Sequence, residues 1–222
     1  PHMEVAAAAS VSPSGPRLVG KYGLSMLSPA ATSEGGFNAL AYHWGLVEES
    51  SAQSGRAVDR MNWRIAGPVH IAETREQARQ DVLFGLPAWL HYMQKVVALP
   101  GVPENGTTEE CLDKMIEIGF VVCGTPDDLI AQLARLEEQS GGFGAYLVTA
   151  TDWANTQAQR RSYELMARYV MPKFQDSNAW MLRSMDWVKG NRGPLLAGAS
   201  QGIIEAIQKD RERQERKKVA NE

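Results

Sequence analysis

Apolar and polar positions follow a repeating order along this chain: a short apolar run, a turn rich in hydroxyls and glycine, then a stretch with helical spacing. Glu4 to Ser10 (EVAAAAS) is the first such run, and its lack of polar alternation predicts a strand covered on both faces in a parallel sheet. Arg17 to Tyr22 then reads as a helix, with Ser14 as N-cap, Pro16 in the first turn and Gly23 as its stop. Leu24 to Ser28 is a second short strand, followed by a helical stretch from Phe37 to about Asp59. Trp63 to Glu73 reads as a third strand broken at Gly67-Pro68, and Thr74 caps the helix after it.

Residues 85–122 depart from this rhythm and read as an insertion, with Trp89, His91, Tyr92, Pro100 and Pro103 around the turn Glu104-Asn105-Gly106. Thr125 then caps a helix with Pro126 first, Asp127 and Asp128 on its dipole, and Leu129, Ile130, Leu133 and Leu136 on one face. Phe143 to Ala150 is a fourth strand. Thr156 to Phe174 reads as an amphipathic helix using Tyr163, Met166, Ala167 and Val170 and ended by Pro172. The expected organisation is therefore a tag remnant at 1–3 (Pro1-His2-Met3), strand–helix units with an insertion over 4–175, and a helical appendage at 176–222. In that appendage Trp180 and Trp187 are expected to pack on the body, and Lys209 to Lys218 forms a mixed-charge solvated tail.

Four strand–helix units predict an α/β fold with a parallel sheet, either a small open sheet or half of a TIM-type (β/α)8 barrel. Pattern alone does not choose between them. A net charge of −3 gives no general attraction to nucleic acid or anionic lipid, and no apolar run approaches bilayer length, so a soluble cytoplasmic protein is expected. Cys111 and Cys123 lack zinc-site spacing and read as free thiols. His43, His70 and His91 show no metal-ligand spacing, so no metal is expected. The HExxH and Walker patterns are absent, and no GxGxxG follows a strand, which sets aside the corresponding metallohydrolase, triphosphatase and dinucleotide-binding readings.

Ala9 to Gly15 (ASVSPSG) carries the most chemistry, because a strand end passes through hydroxyls and a glycine into a helix N-terminus. Such an end presents unpaired amides and the positive end of the helix dipole, so it is either an anion site or a plain capped start. VAAAASVSPSGPRLVGKYGLSMLS resembles the strand, Ser-Gly turn, helix and next strand of luciferase-like flavin-dependent monooxygenases, in the branch similar to limonene monooxygenases. WRIAGPVHIAETREQARQDV and GTPDDLIAQLARLEEQSGGFGAYLV resemble that family's seventh strand and helix and its closing eighth strand.

The resemblance implies the C-terminal half, units five to eight, of a (β/α)8 barrel. It also implies that Ser14 and Gly15, with Ser10 and Ser12 as further candidates, hold the phosphate of FMN, or of deazaflavin F420 in a related oxidoreductase. The implied activity is oxygenation of a small apolar organic substrate with O2 and reduced flavin from a separate reductase. His70 is a candidate proton donor or flavin contact, and Trp153, after the fourth strand, a candidate pocket wall. Open strand edges in a half-barrel predict a homo-oligomer, or equally a non-catalytic half that self-associates.

Overall fold

The computed structural model describes residues 3–97, 101–175 and 179–219. Pro1 and His2 of the tag remnant, and Pro100 of the insertion, lie outside the described residues. The chain divides into a body ending at Met171 and a second unit beginning at Pro172.

The body is built on five parallel strands: β1 (Ala6–Ala8), β2 (Ser25–Ser28), β3 (Trp63–Ile71), β4 (Val122–Gly124) and β5 (Ala145–Thr149). β1 pairs with β2 and β2 with β3, while β3 pairs along Arg64–Pro68 with β5 and along Val69–Ile71 with β4. The helices are α1 (Ser14–Tyr22), α2 (Glu34–Ser54), α3 (Arg75–Val82), α4 (Leu86–Tyr92), α5 (Thr108–Glu117), α6 (Pro126–Ser140), α7 (Thr156–Leu165) and α8 (Met171–Phe174). β1, β2, β3 and β5 are the four expected strands, and the parallel arrangement is the one their alternation with helices predicts.

Register shows which side chains share a face. Ala7, Met26 and Trp63 lie in one row, and Ser28, Ile65 and Tyr146 in the next. This face meets the helices: Met26, Trp63 and Ile65 pack with Leu40, Trp44 and Val47 of α2 and Leu136 of α6. Val69, Ile71 and Val122 continue it against Leu129 and Leu133 of α6 and Leu165 at the end of α7. On the opposite face Ala6, Ala8 and Thr149 are exposed, and Leu147 is 40% exposed. β1 is therefore not covered on both faces as expected, because helices build only one side of it.

Several local expectations change. β4 falls at the end of the stretch read as insertion, because three residues too short to show a pattern become a strand by pairing with β3. β3 runs unbroken through Gly67-Pro68. Gly67 is required there, since a Cβ would meet the Tyr146 hydroxyl and Thr32 Cγ2, and Pro68, which has no N–H, stands where pairing passes from β5 to β4. Helical structure also continues past Pro172 to Phe174. A π-helical turn at Met166–Val170 has already shifted the bonding ladder before the proline arrives. Tyr163 is 44% exposed, and the buried face of this segment is Ser162, Leu165, Met166 and Val170.

The second unit contains α9 (Ala179–Val219), which includes the mixed-charge stretch. Trp180 and Trp187 lie on this helix.

Candidate functional site

The turn after β1 lies at the carboxyl end of the parallel strands, where open valences of such sheets gather. The last β1-side contact is Ala9 N–H donating to Leu27 O at 2.8 Å, after which Ser10, Val11 and Ser12 are exposed. Pro13, with φ −75° and ψ −9°, already has helical geometry, so α1 starts at Ser14 rather than after it. Ser14 is thus the first helical residue and not the N-cap. Its hydroxyl lies 2.8 Å from the Ser12 hydroxyl, and no side chain caps α1. Gly15 and Pro16 are buried against the end of β1. A Cβ on Gly15 would collide with Ala8 O and lie 3.0 Å from Ala8 C and 3.2 Å from Ala9 Cα.

The electrostatics of this end differ from those of α2, α3, α5 and α6. α2, α3, α5 and α6 each carry an acidic residue in the first turn and a capping side chain, and α7 is capped by Asn155. α1 has no acidic residue in its first turn. The exposed Ser12 and Ser14 hydroxyls and the start of α1 therefore face solvent without an internal anion, a donor set that suits a phosphate.

His43, fully buried on α2, steadies the turn: its Nε2 is 3.1 Å from Val11 O, and because a carbonyl only accepts, Nε2 carries the proton. Sequence reasoning placed His43 on a helix without a role. A histidine at a buried position of a helix following the next strand was the available signal.

His70 and Trp153 are elsewhere. His70 pairs in register with Cys123 and donates from Nε2 to Asp81 Oδ2 of α3 at 3.1 Å, with the ring 1% exposed. Trp153 is fully buried, stacked edge-on against Trp89 at 5.0 Å, and lies in one cluster with Val82, Leu86 and Leu112. Gly85 N–H donates to Trp153 O at 2.8 Å. Neither side chain is brought to the Ser12–Gly15 turn by a contact, and both belong to the packing of the 75–123 segment on the sheet.

Cys111 and Cys123 are free and buried, and burial pushes the Cys123 thiol up to about 12. Among the described residues, no group of three or more His, Cys, Asp or Glu is placed to hold a metal ion, and no helix is long and apolar enough to cross a membrane.

No protein-family model matches the sequence. It is 40% identical over 200 residues to limonene 1,2-monooxygenase of Rhodococcus erythropolis, covering 90% of this chain and 48% of that protein. It is 37% identical over 191 residues to 4-hydroxyprotoasukamycin monooxygenase of Streptomyces nodosus subsp. asukaensis, covering 84% of this chain and 51% of that one.

The chain belongs to the luciferase-like flavin monooxygenase family.

It spans about half the length of the curated relatives it matches. In structure it resembles the oxygenating constituent of 3,6-diketocamphane monooxygenase from Pseudomonas putida, solved in complex with FMN, at a TM-score of 0.59 and 23% identity over 78% of this chain and 49% of that one. The fold of this family member is an α/β parallel sheet that corresponds to half of a TIM-type barrel.

Proposed function

We propose that this chain is the phosphate-holding half of an FMN-dependent monooxygenase that oxygenates a small apolar organic substrate. The observation that carries the reading is the uncapped, acid-free start of α1, with the Ser12 and Ser14 hydroxyls beside it and Gly15 seated on β1. In this reading the Ser14 and Gly15 amides and the two hydroxyls hold the flavin phosphate, and the His43–Val11 bond keeps the turn in shape. Ser10, exposed at the strand end, is a further donor. Bound reduced flavin, delivered by a separate reductase, supplies the electrons that activate O2, and the protein fixes its position and limits access of water.

The test is titration of the purified chain with FMN, followed by fluorescence quenching, with riboflavin as the control that lacks phosphate. Micromolar FMN binding, at least roughly tenfold tighter than riboflavin and lost to a similar extent in a Ser12→Ala/Ser14→Ala variant, is expected from loss of charge-assisted hydrogen bonds. Equal affinity for FMN and riboflavin sinks the phosphate assignment. Titration with F420 under the same conditions separates the deazaflavin alternative.

A second reading rests on the open face. Ala6, Ala8, Leu147 and Thr149 lie exposed on one side of the sheet, and β1 and β5 each have one neighbour, so two copies could cover each other's open face. Light scattering on the same sample decides it, since a monodisperse monomer excludes self-association.

A further inference from the structure

A cleft of about 410 Å³ lies between α3, the turn from α5 into β4, and α6, and three guanidinium groups line it: Arg75, Arg79 and Arg135. The lining carboxylates are Asp128 and Glu117. Arg75 is committed to Asp128, with Nε 3.0 Å from Oδ2 and Nη2 2.7 Å from Oδ1. Arg79 pairs with Asp113 at 2.5 Å, in a contact whose partners are 41% and 57% exposed, and such pairs exchange readily with a competing anion.

Arg135 is different. Its Nε donates to Gln132 Oε1 at 3.0 Å and its Nη2 to Gly119 O at 3.1 Å, and its guanidinium lies 4.1 Å from the centre of the Phe37 ring. These partners are neutral. The group is half-buried, and burial pulls its pKa down, although a guanidinium stays charged at neutral pH. Gly119, at φ +72°, makes this seat possible, because a Cβ there would strike the Arg135 guanidinium.

The wall supplied by Val121, Val122 and Cys123 is apolar and carries no charge, since the Cys123 thiol stays protonated. A fixed cation with no carboxylate bonded to it among the described residues, a second cation in a weak exposed pair and an apolar wall together describe a receptor for an anion that carries an apolar body. At roughly 30 Å³ for each water-sized group, the cleft accommodates about 14 of them.

We propose that this cleft binds a small organic carboxylate with an apolar body, its carboxylate held by Arg135 and Arg79. The site is built by residues other than those of the Ser12–Gly15 turn, and it does not depend on the flavin reading.

Calorimetric titration of the purified chain with 2-naphthoate, against 2-naphthamide as the neutral counterpart of the same shape, tests it. Saturable naphthoate binding at least roughly tenfold tighter than naphthamide is expected, as is a loss of about tenfold in Arg135→Gln and in Arg79→Gln. Asp113→Asn, which frees Arg79 and lies outside the cleft lining, is expected to tighten naphthoate about threefold, an effect that mere structural damage does not produce. Ser12→Ala/Ser14→Ala leaves naphthoate affinity unchanged. Absence of saturable binding up to millimolar ligand, equal affinity for the amide, or unchanged affinity in a folded Arg79→Gln variant overturns the proposal. Loss of naphthoate binding in the serine variant also overturns it, by placing the ligand at the turn.

Discussion

Gly15→Ala is the substitution that probes most directly how the turn is held. A Cβ there meets Ala8 O, Ala8 C and Ala9 Cα, all backbone atoms of β1 and its continuation, so no side-chain rotation relieves the collision. α1 must lift from the strand, and its buried residues Val19 and Gly20 lift with it; Gly20 is itself packed without spare room against Val47 O of α2. Overpacking of this kind costs about 1–3 kcal/mol, and alanine's better helix propensity offsets up to ~1 kcal/mol of that. A net loss of about 1–2 kcal/mol in a body of this size lowers the melting temperature by roughly 2–8 °C. Calorimetry on Gly15→Ala beside Ser14→Ala, whose exposed hydroxyl meets only that of Ser12, is the assay. The serine variant is expected to melt within ~0.5 kcal/mol of the parent. A Gly15→Ala protein as stable as the parent would refute the argument that α1 is seated directly on β1.

Ser162→Ala removes the buried hydroxyl that accepts the Ile71 N–H at 2.9 Å and leaves that donor unsatisfied, so a loss of about 1–3 kcal/mol in urea denaturation is expected, and a change below ~0.5 kcal/mol contradicts it. The Asp128 carboxyl is held down to about 2, chiefly by Arg75 and also by the Thr125 N–H and hydroxyl. A folded-state pKa below the unfolded value gives stability that is present above about pH 4 and lost as pH falls through 2. Because the Arg75 side chain is 69% exposed, this is worth only about 1 kcal/mol. The stability difference between the parent and Asp128→Asn is therefore expected to shrink from pH 7 to pH 2.5, and a constant difference rejects the linkage.

What the sequence disclosed depended on local chemistry. Gly23 and Gly141 stop α1 and α6 at φ +66° and +73°, and Thr74 accepts from Gln77 N–H at 3.1 Å, as turn and cap preferences require. The four main strands were legible because each apolar run lies between such signals. β4 was not, since three residues carry no period and its existence depends on Val69–Ile71 beside it. The site was half legible. ASVSPSG showed a strand end entering a helix, but only the structure shows that Pro13 moves the helix start onto Ser14, that Gly15 is dictated by Ala8, and that His43, 32 residues away from Val11, holds the turn. His70 and Trp153 could be assigned strand-end positions, but their neighbours, Asp81 and Trp89, come from a segment whose packing no local pattern announces.

The distribution of burial over the two sheet faces explains how half a barrel holds together. The fully buried strand residues Trp63 and Ile65, together with Met26, all belong to the helix-facing rows, and each of the two clusters on that face joins strand residues to α2, α6 or the end of α7. Apolar burial, the main stabilising term, is thus largely complete without anything on the other face. That other face carries Ala6, Ala8 and Thr149 in the open, while the Arg64–Glu4 pair, bonded also to Ser25 at 2.7 Å, places charge on it at the start of the strands. Its exposed part, around β1 and β5, consists of small residues with one ion pair and contributes little to folding this body, whereas Ala66, Pro68, His70 and Cys123 on the same side are buried. Substitutions at the buried Met26 or Ile65 are therefore expected to lower stability, whereas polar substitutions at the exposed Ala8 or Leu147 are expected to leave it nearly unchanged, as urea denaturation would show.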